Sequence, residues 1–187
     1  MANLNNFKSK IKKLDDYVVL VVVDAKQYQQ TNLDLIKYYV NEQKTPGVYI
    51  TLNKPYETVE KMLKSNKIDP RLIIFIDVIT KLGGNPVKKG NCLFIGSPEK
   101  LSDLSIAIDQ AVNSLPTKNK FLFFDSLNTL LIFNSKEVVQ HFMYFLSGKM
   151  RGWKVKGVII SLKKDVDEQL IDEITQFCDE RIELGGR

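Results

Sequence analysis

The chain has 187 residues and a mass of 21.4 kDa, enough for one domain with a sizeable core. Apolar residues make up 44% and charged residues 26%, which excludes a disordered chain, a collagen and a coiled-coil rod. The net charge of +5 is uneven, because residues 165–187 carry −6 and residues 1–164 carry +11. The longest apolar stretch, Val18–Val23, is far shorter than a membrane helix, and the N-terminus lacks the pattern of a secretion signal. We therefore expect a soluble, cytoplasmic protein without a membrane span.

Apolar runs typical of strands recur along the whole chain. The first, Tyr17–Val23, is continuous and β-branched, which is typical of a strand covered on both faces of a parallel sheet. The other runs are shorter and end at turn residues or acids. The predicted strands are 17–23, 48–52, 72–76, 92–95, 121–124, 157–162 and 181–184.

Amphipathic segments lie between these strands and predict helices. Pro55 and Ser97-Pro98 are helix-start signals, and Asn134–Glu137 resembles a capping box with Asn in the Ser/Thr place. The predicted helices are 31–43, a short helix after Pro55, one between Pro98 and Leu115, one beyond Glu137, and 165–178. Strands alternating with helices predict an α/β three-layer sandwich with a mostly parallel central sheet.

Two segments fall outside this alternation. Residues 1–14 form a basic N-terminal segment, and residues 80–91 contain two glycines and a proline without periodicity, which predicts an exposed flexible loop. No internal repeat or linker divides the chain, so we expect a single domain over residues 1–187. Cys92 and Cys178 lie in apolar runs and are predicted to be small buried residues, and no metal site is expected.

Three carboxylates end three of the predicted strands. They are Asp24, Asp77 and Asp125, and ligands of parallel sheets bind at this carboxyl edge. Carboxylates so placed can hold Mg²⁺, but aspartate also caps helices at strand–helix junctions. We favour capping for Asp24 and Asp77, whereas both interpretations stay open for Asp125, which Ser126 follows.

The segment Phe121–Leu131, an apolar strand ending in Asp125-Ser126, resembles the second nucleotide-site motif of the KaiC-like branch of the RecA superfamily of ATPases. The similarity extends over roughly residues 15–184. It includes the segments 46–52, 67–70, 157–161 and 178–184. The resemblance implies a RecA/KaiC-like P-loop NTPase core, with ATP and Mg²⁺ as the ligands of the family.

The segment after the first strand departs from that family. A phosphate loop needs G-x-x-x-x-G-K-[ST], because bare glycine backbone wraps the phosphates and the lysine neutralises their charge. In the matching place, Asp24 and Gln29 occupy the glycine positions and Gln30 that of the lysine, while Thr31 keeps the expected Mg²⁺ hydroxyl. Where the resemblance places a catalytic carboxylate, the sequence has Asn53-Lys54. The degenerate nucleotide site is therefore predicted to comprise Asp24, Lys26, Gln30, Thr31, Asp125 and Ser126.

These departures predict a pseudo-ATPase without catalytic residues or cofactor. Its role would be that of a regulatory or protein-interaction module, in signalling, as a monomer or simple dimer. One alternative is a protein that still binds ATP and Mg²⁺. Another is a receiver-like phosphoacceptor that uses Asp125 and Lys163, and a third is a nucleic-acid-binding module.

The basic cluster near residue 150 predicts a patch for a partner or an anion. Trp153 lies there among lysines and an arginine, although dispersed lysines usually form only a solvated surface. A protein partner is therefore favoured over nucleic acid. For Tyr28, helix packing is a sufficient explanation, and the alternative is an exposed partner contact. The patch comprises Lys149, Arg151, Trp153 and Lys154, with Lys156 beside it.

Overall fold

A parallel β-sheet forms the centre of the molecule. The computed structural model describes residues 4–88, 90–163 and 167–185, and seven strands lie within these ranges. They follow the order β4-β3-β2-β5-β6-β1-β7, and all neighbours pair in parallel. The strands are β1 (Tyr17–Val23), β2 (Gly47–Thr51), β3 (Ile73–Asp77), β4 (Cys92–Phe94), β5 (Phe121–Asp125), β6 (Lys156–Leu162) and β7 (Glu180–Leu184).

Helices connect the strands and cover the sheet. They are α1 (Leu4–Ile11), α2 (Tyr28–Lys37), α3 (Tyr56–Ser65), α4 (Thr80–Gly83), α5 (Leu101–Ser114), α6 (Leu127–Phe133), α7 (Lys136–Gly152) and α8 (Glu168–Thr175). A π-helical turn, Tyr38–Glu42, extends α2, and a 3₁₀ turn, Pro70–Leu72, precedes β3. None of the helices within the described ranges is long and apolar enough to cross a membrane.

The apolar core is divided between the two faces of the sheet. On one face, buried residues of α5 to α8, such as Leu104 and Phe142, pack against the strands. On the other face, α1 to α3 contribute buried residues such as Phe7 and Leu35. Each such side chain contributes roughly 1.5–3 kcal/mol on burial. The α/β three-layer sandwich with a parallel central sheet is therefore confirmed.

The burial of β1 explains its sequence. It pairs with β6 on one side and β7 on the other, and helices cover both of its faces, so all seven residues are buried. A strand in this position has no solvent face and needs no polar alternation. The predicted strands all occur, with ends that differ by at most one or two residues.

The helix boundaries differ from the prediction at three places. Helix α2 begins at Tyr28, three residues before the predicted start. Helix α6 was not predicted, because its short apolar run after the Asp125-Ser126 pair has no helical periodicity that could be read over so few residues. For the last helix, α8 covers Glu168–Thr175 of the predicted 165–178, and residues 165 and 166 lie outside the described ranges.

Ser135, not Asn134, caps the start of α7, so the predicted capping box is wrong in its register. The Ser135 hydroxyl accepts a hydrogen bond from the Val138 amide at 3.4 Å. Asn134 lies at the C-terminal end of α6 instead. Its side-chain amide donates hydrogen bonds to the Leu130 carbonyl at 3.0 Å and to the Pro98 carbonyl at 3.1 Å. The two polar residues thus join α6 to α7.

The two segments outside the predicted alternation contain structure. In the basic segment 1–14, residues 4–11 form α1, whose Phe7 and Ile11 are buried. In the predicted loop 80–91, residues 80–83 form a single helical turn, and Lys89 lies outside the described residues. Cys92 is buried and Cys178 half-buried, both are free thiols, and burial raises the pKa of each to about 12, as expected of small core residues.

We expect Gly47→Ala to lower the free energy of unfolding by about 1–3 kcal/mol, because the added methyl has no space. A Cβ at this position would lie 2.4–2.5 Å from ring atoms of Phe121. That ring cannot move away easily, since it stacks on Tyr39 at 5.0 Å.

Urea denaturation measures the effect, and Gly148→Ala is the matched control. A Cβ at Gly148 meets nothing within 4 Å, so alanine there should stabilise α7 by roughly 0.5–1 kcal/mol. Equal stabilities of the two variants would contradict the tight contact at Gly47.

Candidate functional site

The candidate site is centred on Asp125 at the carboxyl edge of the sheet. Strand β5 lies between β2 and β6, so its last residue lies at the middle of that edge. Helix α6 follows directly, and the Asp125–Ser126 peptide bond is cis. The Asp125 side chain is buried, and it therefore needs polar partners from the protein itself.

Two tyrosine hydroxyls bind the two oxygens of this carboxylate. The Tyr49 hydroxyl, from β2, donates to Oδ2 of Asp125 at 2.5 Å. The Tyr28 hydroxyl, from the first residue of α2, donates to Oδ1. The Asn53 side-chain amide in turn donates to the Tyr28 hydroxyl oxygen. We call Tyr28, Asp125 and Tyr49 the tyrosine–aspartate cluster.

Burial governs the electrostatics of the tyrosine–aspartate cluster. It raises the pKa of Asp125, while the hydrogen bonds from Tyr28, Tyr49 and Asn32 act in the opposite direction. Burial also raises the pKa of both tyrosines, and the neighbouring carboxylate raises it further, since a second negative charge there is unfavourable. Both phenols therefore remain protonated and act as donors at neutral pH.

Residues 24–31 form one tight turn followed by a helix. The Asp24 carbonyl accepts a hydrogen bond from the Gln27 amide at 2.9 Å, which closes the turn. Helix α2 then begins at Tyr28, and the Gln27 carbonyl accepts from the Thr31 amide at 2.8 Å. The amides of Gln27 and Thr31 are thus bound to backbone carbonyls of the same segment. The turn also places the Tyr28 side chain against Asp125.

The structure separates the six predicted site residues into two groups. Thr31, Asp125 and Ser126 are buried, whereas Lys26 and Gln30 are exposed and Asp24 is half-buried. The Gln30 amide donates to Asp34 at 2.8 Å along the surface of α2, so it does not occupy the place of a phosphate-binding lysine. The structure therefore does not bring the predicted cationic or polar loop residues to the carboxylate.

Five buried side-chain atoms within the described residues have no hydrogen-bond partner, and all belong to segments that follow β1, β2 or β5 at the carboxyl edge. Most buried polar groups in proteins are paired, and each orphan costs about 1–3 kcal/mol. Their concentration here shows that, within the described residues, unsatisfied polar groups collect at the carboxyl edge. The atoms are Gln27 Oε1, Thr31 Oγ1, Asn32 Oδ1, Asn53 Oδ1 and Ser126 Oγ.

Lys54 is the cation next to this site. Its ammonium lies 3.3 Å from Oε1 of Gln29 and 6.0 Å from the centre of the Tyr28 ring. Its charge is among the causes that lower the pKa of Asp125. The pair Asn53-Lys54, which replaces the expected catalytic carboxylate in the sequence, therefore supports the tyrosine–aspartate cluster.

Sequence reasoning missed the partners of Asp125. Tyr28 was assigned to helix packing, with an exposed partner contact as the alternative. The packing is confirmed, because the half-buried ring lies against the core, and the exposed contact is wrong. Neither interpretation included the hydrogen bond from its hydroxyl to Asp125. Tyr49 and Asn32 were not singled out. The available signal was a tyrosine inside an otherwise polar turn and a second one in a strand of aliphatic residues.

Asp77 is a capping residue, as predicted. Its carboxylate accepts hydrogen bonds from the amides of Tyr56 at 2.7 Å, Ile79 at 2.9 Å and Thr80 at 2.8 Å. It thereby satisfies the backbone at the start of α3 and of α4. For Asp24, the backbone carbonyl rather than a side-chain cap is the group that closes the turn before α2.

The receiver-like arrangement finds no support in the geometry. Lys163, the lysine it requires, pairs with Glu183 at 3.2 Å on the surface. Asp125, the acceptor it requires, is buried beneath two tyrosines.

The predicted patch residues lie at the opposite edge of the sheet. They occupy the last turns of α7 and the residues leading into β6, where the parallel strands begin. Arg151 pairs with Asp179 at 2.8 Å, and Lys149 lies 3.6 Å from Asp109. Lys149, Arg151 and half-buried Trp153 line one groove, and Lys154 is exposed beside it.

Comparison with known proteins establishes the family and the fold. The protein belongs to a family of unknown function, DUF7504, whose model matches residues 79–184. Two solved structures from the archaeon Pyrococcus horikoshii OT3 are similar, each with 15% identity. The KaiC-like protein PH0186 has a TM-score of 0.59, covering 84% of this chain and 67% of its own, and PH0250 has 0.66, covering 95% and 87%. No curated protein matches the chain. At this identity the likeness shows a RecA/KaiC-like fold.

We expect Tyr28→Phe to lower the free energy of unfolding by about 1–3 kcal/mol, because one oxygen of buried Asp125 loses its donor. Tyr144→Phe is the matched control. The Tyr144 side chain is 65% exposed, so removal of its hydroxyl leaves no buried group without a hydrogen-bond partner. Thermal and urea denaturation compare the two. A Tyr28→Phe variant as stable as the control would contradict the hydrogen bond.

Asp125→Asn should become more stable relative to the wild type as the pH rises. Burial raises the pKa of Asp125 above the unfolded value near 3.9, so the folded state holds its proton more firmly. The stability that this group contributes is complete below about pH 4 and is lost as the pH rises through the folded pKa.

Asparagine does not titrate, so the difference between the two proteins isolates this group. Urea denaturation of both at a series of pH values between about 4 and 7 measures it. The unfolding free energy of Asp125→Asn minus that of the wild type should increase over this range. If this signed difference stays constant or decreases, Asp125 is not desolvated in the folded state.

Proposed function

We propose that this protein is a non-catalytic module with a RecA/KaiC-like fold, which regulates or binds a partner protein and does not hydrolyse ATP. The observation that carries this proposal is the tyrosine–aspartate cluster. The resemblance to KaiC-like ATPases matches Asp125 to a carboxylate of their nucleotide site. In this protein, two tyrosine hydroxyls donate hydrogen bonds to its two oxygens.

The residues at this edge do not fit a magnesium–nucleotide complex. Mg²⁺ requires oxygen ligands in near-octahedral geometry, and each Asp125 oxygen already accepts a tyrosine hydrogen bond, which leaves it fewer lone pairs for a metal ion. A triphosphate requires a loop of free amides, whereas residues 24–31 form a closed turn and a helix. Thr31 is the residue that keeps the hydroxyl expected of a magnesium ligand, and its Oγ1 has no hydrogen-bond partner.

Among the described residues, the two positions that the resemblance assigns to a phosphate-binding lysine and a catalytic carboxylate carry neither group. Phosphoryl transfer depends on a cation at the phosphates and on a residue that orients the attacking water. Gln30 lies along the surface of α2, and the Asn53 amide is committed to the Tyr28 hydroxyl. We infer that the fold is retained for binding rather than for hydrolysis.

A regulatory or interaction role follows from what the fold leaves exposed. Large apolar side chains such as Tyr144 and Phe145 face solvent on α7, and exposed apolar patches mark interaction sites. The proposal includes a cytoplasmic role in signalling, as a monomer or simple dimer that acts through a protein partner.

A second candidate is a protein that has lost hydrolysis but still binds a nucleotide. The unpartnered oxygens of Thr31 and Ser126 favour it, because they offer hydrogen-bonding capacity that no protein group uses. In this case Tyr28 would have to leave Asp125 before the ligand could enter.

Calorimetric titration with Mg-ATP and Mg-ADP separates the two candidates. We expect no binding up to millimolar nucleotide, because Tyr28 fills the place beside Asp125, and no release of phosphate above the blank. Tyr28→Ala serves as the comparison, since it removes the ring and, if the variant gains weak nucleotide binding, identifies Tyr28 as the obstacle. A micromolar dissociation constant for the wild type, or turnover, would overturn the proposal.

A further inference from the structure

A groove of about 630 Å³ lies between the C-terminal half of α7 and the turn after α8. Its walls are aromatic, and its floor includes two glycines of α7. Because α7 ends where β6 begins, the groove lies at the amino edge of the sheet, opposite the tyrosine–aspartate cluster. Its lining includes Tyr144, Phe145, Trp153, Phe177, Gly148 and Gly152.

The aromatic walls contact neighbouring side chains although they face solvent. The Tyr144 side chain is 65% exposed and that of Phe145 is 47% exposed. The Tyr144 ring packs edge-on against Phe177 at 5.1 Å, and the Lys149 ammonium lies 5.7 Å from the ring centres of both Phe145 and Trp153. Exposed aromatic rings packed against one another in this way are typical anchors of protein interfaces.

The two glycines open the backbone of α7 to close approach. Gly148 and Gly152 lie four residues apart, on the same face of the helix. A Cβ built at either position meets nothing within 4 Å, so no neighbour in the fold requires glycine there. Glycine inside a helix disfavours folding, so Gly148 has a cost that no contact within the fold offsets, whereas Gly152 is the last residue of α7, where glycine is common. Both leave backbone that another molecule can approach closely.

The charges around the groove select the kind of partner. Lys149 and Arg151 line it, and Lys154 is exposed at its end without an ion pair to any described residue. This cationic rim complements Asp and Glu. A second copy docked by the same face would place lysine against lysine. Asp109 and Asp179, which pair with Lys149 and Arg151, offset part of this positive charge, so the rim suits a few separate acidic side chains better than a densely charged polyphosphate chain.

We propose that the groove binds an amphipathic helix of a partner protein. Its apolar face packs against the aromatic walls, its backbone crosses α7 at Gly148 and Gly152, and its acidic residues lie against Lys149 and Lys154. Helices recognised in this way carry anchors at i, i+3 or i+4, and i+7. The site is distinct from the tyrosine–aspartate cluster, so its test does not depend on nucleotide binding.

The experiment is a selection of displayed helical peptides against the full-length chain. We expect the selected peptides to carry apolar anchors at helical spacing, flanked by Asp and Glu. Affinity of a selected peptide for the wild type and for variants is then measured by fluorescence anisotropy. Recovery of no binding peptide, or of neutral and basic peptides only, would overturn the proposal.

Gly148→Leu should weaken binding of the selected peptide about tenfold or more, because leucine fills the place of the peptide backbone. The variant should fold normally, since leucine favours a helix more than glycine does. Gly83→Leu is the matched control: a Cβ at Gly83 also meets open space, but α4 follows β3 at the other edge of the sheet. Equal loss in both variants, or loss in neither, would contradict binding in the groove.

Exchange of charges between Lys149 and the peptide tests whether the basic residues around the groove contact acidic residues of the peptide. Lys149→Glu should weaken the selected peptide, and a peptide with lysine in place of its glutamates should regain affinity for that variant. Two results would assign the groove to a different occupant and overturn the proposal. One is a dimer in sedimentation experiments that Gly148→Leu abolishes. The other is salt-sensitive binding of a labelled oligothymidine that Lys149→Glu abolishes.

Discussion

The carboxylate of Asp125 has to be satisfied by the protein, because it is buried at the middle of the sheet edge. Tyr28 and Tyr49 supply the two donors. This requirement explains the local structure: the chain turns tightly after β1 so that α2 can begin at Tyr28, and Asn53 after β2 supports the Tyr28 hydroxyl. The segment that would hold phosphates in a RecA-like ATPase is thereby occupied by a turn and a helix.

The two edges of the sheet have different chemistry. At the carboxyl edge, polar groups are buried and several of those in the described residues lack partners, which is unfavourable for stability. At the amino edge, aromatic rings and bare helix backbone are exposed on α7. The sheet and its two helical layers hold these edges apart. A contact at one edge can therefore be altered without disturbing the other.

Much of the fold could be predicted from the sequence. The continuous β-branched run of β1 identifies a fully covered parallel strand, and the alternation of strands and helices identifies the α/β sandwich. Short elements were harder, because α6 spans only seven residues and α4 four, too few for helical periodicity to be recognised. The helix cap at Ser135 was also missed, since Asn134 is an equally good capping residue and only its contacts decide between them.

What the sequence by itself determined is local: which segments are strands, and that Asp24, Gln29 and Gln30 stand where the resemblance expects two glycines and a lysine. The reason is that both are read from neighbouring residues alone. What only the tertiary structure decided is which side chains donate hydrogen bonds to Asp125. Tyr49 lies 76 residues and Tyr28 lies 97 residues from it in the chain. Tyr49 meets Asp125 because the sheet places β2 directly beside β5, although β3 and β4 lie between these two strands in sequence. Tyr28 reaches Asp125 from the start of α2, which follows β1, a strand that only β6 separates from β5. Strand order is set by the packing of the whole core, and no local pattern encodes it.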